Sequence, residues 1–593
     1  MRHTFGPYIL DEDARELSLQ GTAVAMQPRV FDLLVHLVRN AGRVVPKDEL
    51  MDALWPDVIV TEASLQRLVS LARRALEPGG LGTAIRSFVR HGYRFSVDQP
   101  ALALRDATDA GGADLAAALD CIRRRDWDAA CRAFEVADAA GPLAAADIDT
   151  WALAVECRGR PAEAIPVLIR AVTAHVAEGQ PNLAARDAVT LAKLELERSA
   201  PSAAAGWMDR AEALKGNADD QRTDAYFLWM KSRMSSFSGR GEEALQLALA
   251  ANRAADACGD QGLIALTLTY VGFYNIALGH IDRGVSDQNH AAAIALTSGV
   301  DPIFGSTIYC NILWACRTFP DWRRARQWSQ GFDTWCQSNY AEVPGTCDLH
   351  RAEVLGAQRS LDDALQAIDM ALPKLSDEES WSIGDGFRVR GDVKAMIGDL
   401  EGARADYAAA YSMGWDAEPG NAMLLAEDGN VPAALLALDR ALAGTSWYHL
   451  QRRGHLLAHK ARIAAIGGQA EVALQALAEL DGEAERSRQP AVHALMNETR
   501  FHLARAAGSD ARNALMLARD LWNSAGLEYQ AARVRLELAG EFLSTGDATG
   551  AAAEIAAADR IGQRIRSRRL IDRAAALAAA LRANEPPATA VGE

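Results

Sequence analysis

The sequence predicts a mainly α protein: a small α+β domain over residues 1–98, a linker over 99–112, an α-solenoid of helical hairpins over 113–583, and a disordered tail over 584–593. Three observations carry this. At 593 residues the chain exceeds one ordinary hydrophobic core. Its alanine-rich composition, with aromatics at only 6%, suits helices packed closely on other helices. One phrase, a Gly, Asp or Asn turn leading into an alanine-rich helix, returns along most of its length.

The opening segment alternates in the manner of strands: Phe5, Tyr8 and Ile9, then Leu17 and Leu19, a Gln20-Gly21 turn and Val24. Pro28 begins a helical pattern whose apolar face holds Val30, Phe31, Leu33, Leu34, Leu37 and Val38 and which stops at Asn40-Ala41-Gly42. A shorter helix runs from about Pro46 to Trp55, with Leu50, Met51 and Leu54 inward, Trp55 in the core and Pro56 as its end. Thr61 is a good N-cap for a third helix, which carries Leu65, Leu68, Val69, Ala72 and Leu76 on one stripe and Gln66, Arg67, Ser70, Leu71, Arg73 and Arg74 on the other. After Glu77-Pro78-Gly79-Gly80, residues 85–89 and 93–97 form two strands around Arg90-His91-Gly92, where Gly92 supplies the turn geometry.

Three helices followed by a basic hairpin is the winged-helix plan, in which the third helix fills the major groove of DNA and the hairpin reaches an adjacent groove or phosphate. Charge agrees locally. The net charge of −16 argues against a chain that coats nucleic acid along its length, and residues 1–100 hold twelve Lys/Arg against twelve Asp/Glu. Residues 61–97, however, hold six arginines against only Glu62 and Glu77. Taken singly these groups have plainer readings. Arg73 and Arg74 suit any helix C-terminus, and His91 at a turn tip is ordinarily solvated. The basic hairpin beside them is what turns the balance toward phosphate contact.

The strings Phe31-x-Leu33-Leu34, Gly42-Arg43-Val44-Val45 with Glu49-Leu50, Trp55-Pro56-Asp57-Val58, Ser64-Leu65, Arg73-Arg74-Ala75-Leu76-Glu77-Pro78-Gly79-Gly80 and Gly92-Tyr93-Arg94-Phe95 together resemble the OmpR/PhoB-type winged helix. The resemblance implies that the helix 61–76 is the recognition helix. It places Arg90, His91, Tyr93 and Arg94 on the wing and makes Pro56, Asp57, Val58, Ile59 and Val60 a loop that contacts RNA polymerase. Relatives often have arginine near the middle of the recognition helix, where this chain has Ser70 and Leu71. Base preference is therefore expected to lean on Gln66, Arg67 and a Leu71 contact with a thymine methyl. With no receiver domain ahead of the winged helix, control is expected to come from the repeats.

The recurring turns fall at 126, 160, 201, 240, 280, 321, 360, 399, 430, 469, 510 and 547, in steps of mostly 37 to 41 residues, which is the period of a helical solenoid. Each hairpin leaves an apolar face that a neighbour must cover, so stacking is obligatory and a long inner surface results. The phrases Asp321-Trp322-Arg323-Arg324-Ala325, Pro344-Gly345-Thr346-Cys347, Gly414-Trp415-Asp416-Ala417-Glu418-Pro419-Gly420 and Tyr529-x-Ala531-Ala532-Arg533 resemble the tetratricopeptide-like arrays of MalT/LuxR-type regulators. That resemblance implies a sensor for a protein or small-molecule effector. Residues 226–353 are rich in aromatics, among them Tyr226, Trp229, Tyr270, Phe273, Tyr274, Tyr309 and Trp314. With Asn275, Asn311 and His350 they either line an effector pocket or fill inter-repeat core.

No apolar leader opens the chain, and the uncharged stretch 261–279 is read as a buried repeat helix rather than a membrane span, so a cytoplasmic protein without a membrane partner is expected. The eight cysteines include no C-x-x-C pair, which argues against a zinc or dithiol site and for buried thiols. Nucleophile elbow, phosphate-binding loop and metal-ligand spacing are all missing, so no catalytic residue, cofactor or metal is assigned and the chain is expected not to be an enzyme. The expected partners are double-stranded DNA, RNA polymerase, an effector on the repeats and a second copy in a homodimer. The competing class is a repeat-based interaction scaffold whose winged helix touches protein instead of DNA.

Overall fold

The computed structural model of the chain describes residues 2–5, 8–12, 14–19, 22–24, 26–40, 45–54, 62–79, 81, 84–88, 92–95, 110–215, 220–297, 300–319, 321–340, 342–358, 360–444, 450–482 and 489–584. Trp55, the loop 56–60, Thr61, Arg90, His91 and the tail after Asn584 lie outside them. The chain divides into two compact units, Met1–Asp106 and Ala107–Glu593.

In the first unit, β1 (Arg2–Phe5), β2 (Tyr8–Asp11), β3 (Glu16–Leu19) and β4 (Thr22–Ala23) form an antiparallel meander. Period-two alternation sends Tyr8, Leu10 and Leu17 inward and leaves Ile9 40% exposed. Helix α1 (Pro28–Arg39) starts with proline at its first turn and buries Val30, Phe31, Leu33, Leu34 and Leu37. A two-residue strand, β5 (Val45–Pro46), precedes α2 (Lys47–Leu54) and α3 (Glu62–Leu76), and β6 (Ile85–Phe88) and β7 (Gly92–Phe95) close the unit. The second sheet has the order β5-β7-β6, so the hairpin has a third strand that the sequence pattern did not reveal. Gly92 is a strand residue rather than a turn residue. Its φ is +142°, and a Cβ there would lie 2.0 Å from the carbonyl oxygen of Val45.

The second unit holds twelve helical hairpins and a closing helix among the described residues, and the second helix of each hairpin starts within two residues of an expected turn, at Trp127, Pro161, Pro201, Gly241, Ile281, Trp322, Leu361, Leu400, Val431, Ala470, Arg512 and Ala548. The first of these helices, Ala110–Arg124, begins inside the stretch read as linker. Aspartate or asparagine before many of the second helices caps them: Asp126 accepts from the Ala129 N–H, Asp399 from Gly402 and Asp547 from Gly550. Small residues then let the helices of a pair approach. Where Gln261–Ala277 crosses Ile281–Thr297, a Cβ on Gly272 would lie 2.6 Å from the Gly284 oxygen, and one on Gly284 2.4 Å from the Gly272 oxygen. Gly284→Ala is expected to force this crossing apart at a cost of about 1–3 kcal/mol, seen as faster amide exchange confined to these two helices and their neighbours. Exchange unchanged from the parent would show that the crossing tolerates the methyl group.

The stack coils on itself. The indole N–H of Trp127 donates to the Asn339 carbonyl at 2.8 Å, Arg323 donates to the Ser524 carbonyl at 3.1 Å, and Arg566 pairs with Asp362 at 2.8 Å. These partners are 212, 201 and 204 residues apart, which is the length of about five hairpins and marks one turn of the superhelix. The stretch read from sequence as a buried repeat helix is the helix Gln261–Ala277, buried along most of its length. Among the described residues no helix is long and apolar enough to cross a membrane.

Candidate nucleic-acid interface

Helix α3 has two faces because its apolar residues recur at helical spacing. Leu65, Leu68, Val69, Ala72 and Leu76 are buried against α1 and the sheets, and Gln66, Arg67, Ser70 and Arg74 are exposed on the opposite side. The C-terminal end is held from behind by the Tyr8 hydroxyl, which donates to the Ala75 carbonyl at 3.1 Å. Ser70 Oγ donates to the Gln66 carbonyl at 3.0 Å, so that hydroxyl is partly spent on its own helix.

The arginines of this unit divide sharply. Arg15 pairs with Asp32 at 2.6 Å, Arg29 donates to the Leu54 carbonyl, and Arg39 pairs with Glu12. Hydrogen bonds from Arg39 and then His3 hold the Glu12 carboxyl down at about 2, so the pair is ionised at any ordinary pH. Arg67 and Arg74 have no ion pair or hydrogen bond to any described residue. Their charges, with Gln66 between the helix start and Ser70, form the open polar face of α3.

Four of the expected contact residues are buried or half-buried. Tyr93 is only 5% exposed and packs in the core, because strand alternation that sends Phe95 inward sends Tyr93 inward too. Arg73 is half-buried and donates through Nε and Nη2 to the Ile85 carbonyl at 2.9 and 2.7 Å, tying α3 to β6. Leu71 is half-buried against the core. Arg94 is half-buried on β7, where the register makes it the partner of Arg86 on β6.

In the repeats, the aromatic-rich segment is mostly core. Trp229 and Tyr274 are about 1% exposed, Tyr309 is 0% exposed, and Phe273 stacks on Trp314 with centroids 5.0 Å apart. Tyr270, Phe273, Trp314 and Tyr340 also wall a cavity of about 190 Å³ that Asn311 and His350 share, while Asn275 is turned to Asp287 at 3.3 Å. All eight cysteines are free; burial raises the thiols of Cys131 to about 11 and Cys316 to about 12, so both stay protonated near neutral pH. Asp149, His175 and Asp187 come together from three helices with ligand-type atoms all within 4.8 Å, a grouping no spacing rule predicts. His175 sits 2.8 Å from Asp149 and 2.7 Å from Gln180, the arrangement of an ion-paired histidine.

A second cavity, of about 640 Å³, lies among the first helices of the hairpins between residues 314 and 573. Sequence reasoning did not single it out, although Arg452, His455, His459 and Arg462 recur at spacings of three, four and three along one helix and so share a face. Arg462 and Arg533 both pair with Glu498, whose side chain is 0% exposed and which also accepts from the Trp522 indole at 2.7 Å.

Comparison with known proteins places the first unit. Residues 21–95 match the family described as Transcriptional regulatory protein, C terminal. The transcriptional activator CadC of Escherichia coli K12 is 28% identical over 94 residues, which is 16% of this chain and 18% of CadC. YvcP of Bacillus subtilis strain 168, an uncharacterised transcriptional regulatory protein, is 34% identical over 88 residues, 15% of this chain and 37% of its own. The chain thus aligns with well under half of either relative. A chain in the crystal structure of the APC/C hetero-tetramer Cut9-Hcn1 aligns over 79% of this chain and 96% of its own, at 12% identity and a TM-score of 0.30, too slight a likeness to carry an argument. The chain therefore carries a winged-helix domain of the DNA-binding transcriptional-regulator type fused to an extended helical-repeat region. The matched family consists of regulatory DNA-binding proteins, not enzymes.

Proposed function

We propose that the protein is a sequence-specific, DNA-binding transcription regulator of OmpR/PhoB type whose tetratricopeptide-like repeats, similar to those of MalT/LuxR-type regulators, receive a protein or small-molecule signal. The observation that supports this most is the pair Arg67 and Arg74, free of partners among the described residues on the exposed face of α3, beside Gln66. An unpaired guanidinium costs nothing in water and gains most against phosphate or the edge of a guanine. Arg90 and His91 supply the wing contact, the loop 56–60 meets RNA polymerase, and self-association pairs two winged helices on DNA. The domain limits 1–98, 99–112 and 113–583 belong to the same reading, as does a cytoplasmic location.

The test is selection of duplex sites with the full chain at low salt, followed by affinity measurements on the selected site. Arg67→Ala is expected to reduce discrimination between that site and its single-base variants by about 5- to 150-fold, corresponding to ~1–3 kcal/mol. Arg90→Ala is expected to weaken all duplexes alike and to lower the slope of log K against log salt by about 1. Equal effects of both substitutions on every duplex would remove the distinction, and a folded protein that selects no DNA would leave the interaction-scaffold reading.

A further inference from the structure

The large inner cavity of the repeats is uneven in charge. At one end Arg317 and Arg388 are paired with three carboxylates, Glu353, Asp385 and Asp392. At the other, Arg462, Arg533 and Arg573 share two carboxylates, Glu498 and Glu537. The first two arginines take both glutamates. Arg573, on the last helix Arg568–Asn584, is exposed, lines the cavity and has no hydrogen bond or ion pair to any described residue. Its nearest electrostatic neighbours are Glu537, Arg533, Tyr529 and Arg462, so one positive charge is left over among them.

The surroundings narrow what that charge accepts. His455 and His459 also line the cavity, and the Nδ1 of each has no hydrogen-bond partner among the described residues; His459 is only 6% exposed. Burial, with the nearby arginines, pushes His455 down to about 4 and His459 well below its usual value, so both are neutral hydrogen-bonding groups rather than charges. Leu495, Trp522, Leu527 and Ile463 give the same end an apolar wall. A volume of about 640 Å³ is that of a small-molecule site.

We propose that this end of the cavity is a binding site for a small organic monocarboxylate with an apolar body, its carboxylate on the Arg573 guanidinium and its body against Trp522 and Leu527. One surplus charge is matched by a singly charged acid, whereas a phosphate dianion leaves a second negative charge facing Glu537. The guanidinium fork accepts a carboxylate with two parallel hydrogen bonds. This deepens the reading of the repeats as the signal-receiving part and takes its functional meaning from it.

The test is isothermal titration of the full chain with phenylacetate and hexanoate, using phenylacetamide and phenyl phosphate as uncharged and dianionic counterparts of the first. At least one carboxylate is expected to bind saturably with Kd below about 1 mM, with its counterparts at least about tenfold weaker. Arg573→Gln, which breaks no hydrogen bond or ion pair to a described residue, is expected to weaken the carboxylate by about tenfold or more. Absence of saturable binding by both acids up to about 10 mM overturns the proposal. So does phenylacetamide or phenyl phosphate binding as tightly as phenylacetate, or an affinity untouched by Arg573→Gln. Selection of duplex DNA by the same preparation is scored separately, so loss of the ligand site and loss of the regulator reading are distinguishable.

Discussion

Replacing Glu498 by glutamine is expected to destabilise the repeats by about 3 kcal/mol, because it removes the buried carboxylate that Arg462 and Arg533 share and leaves Glu537 as the one carboxylate paired with both. The carboxylate accepts from Arg533 through both oxygens at 2.7 Å, from Arg462 at 2.5 Å and from the Trp522 indole at 2.7 Å, and its side chain is 0% exposed. Because a solenoid is held together by nearest-neighbour interfaces, the loss is expected to concentrate in the helices Leu450–Ile466, Pro490–Ala506 and Glu528–Ser544. Amide exchange by segment measures it, and uniform change along the array would contradict a local role. Burial alone would raise this carboxyl, but Arg533 and Arg462 hold it at about 2, below its ordinary 4.5. A folded-state value below the unfolded one contributes stability that is complete above the unfolded value and is lost as pH falls through the folded one. The parent is therefore expected to lose protection in these helices between about pH 4.5 and 2, and Glu498→Gln to lack that component of the acid transition.

The second large effect is expected at Gly92. Alanine there meets a φ of +142° and a backbone oxygen 2.0 Å from its Cβ, with no flexible side chain to yield. Strain and overlap together are expected to cost about 3 kcal/mol or more, to detach β5 from β7 and to abolish DNA selection by the winged helix. Chemical denaturation followed through the exchange of Val45 and Tyr93 amides checks it. A loss of less than about 0.5 kcal/mol would mean that the sheet bends to accommodate the methyl group.

What was legible in the sequence is what local chemistry writes there. Several hairpin turns could be placed closely because a capping side chain marks the helix start, as Asp126, Asp399, Asn430 and Asp547 do by accepting from the amide three residues on. The buried stripe of α3 was legible for the same kind of reason, since Leu65, Leu68, Val69, Ala72 and Leu76 recur at helical spacing. Strand β5 was not, because two residues carry no period. Tyr93 was assigned to the surface although the alternation that places Phe95 inside applies equally to it. The engagement of Arg73 depends on where β6 passes, and the cavity charge depends on arginines brought together from helices tens of residues apart. Neither leaves a mark in local spacing, and contacts such as Trp127 with Asn339, 212 residues away, leave still less.

Those long-range bonds set the mechanics of the repeats. A spring whose coils are fastened to one another does not lengthen in proportion to load. Its fastenings, here Trp127 to Asn339, Arg323 to Ser524 and Arg566 to Asp362, must let go before the hairpins can swivel. Compliance is then expected to be lower before these contacts break than after.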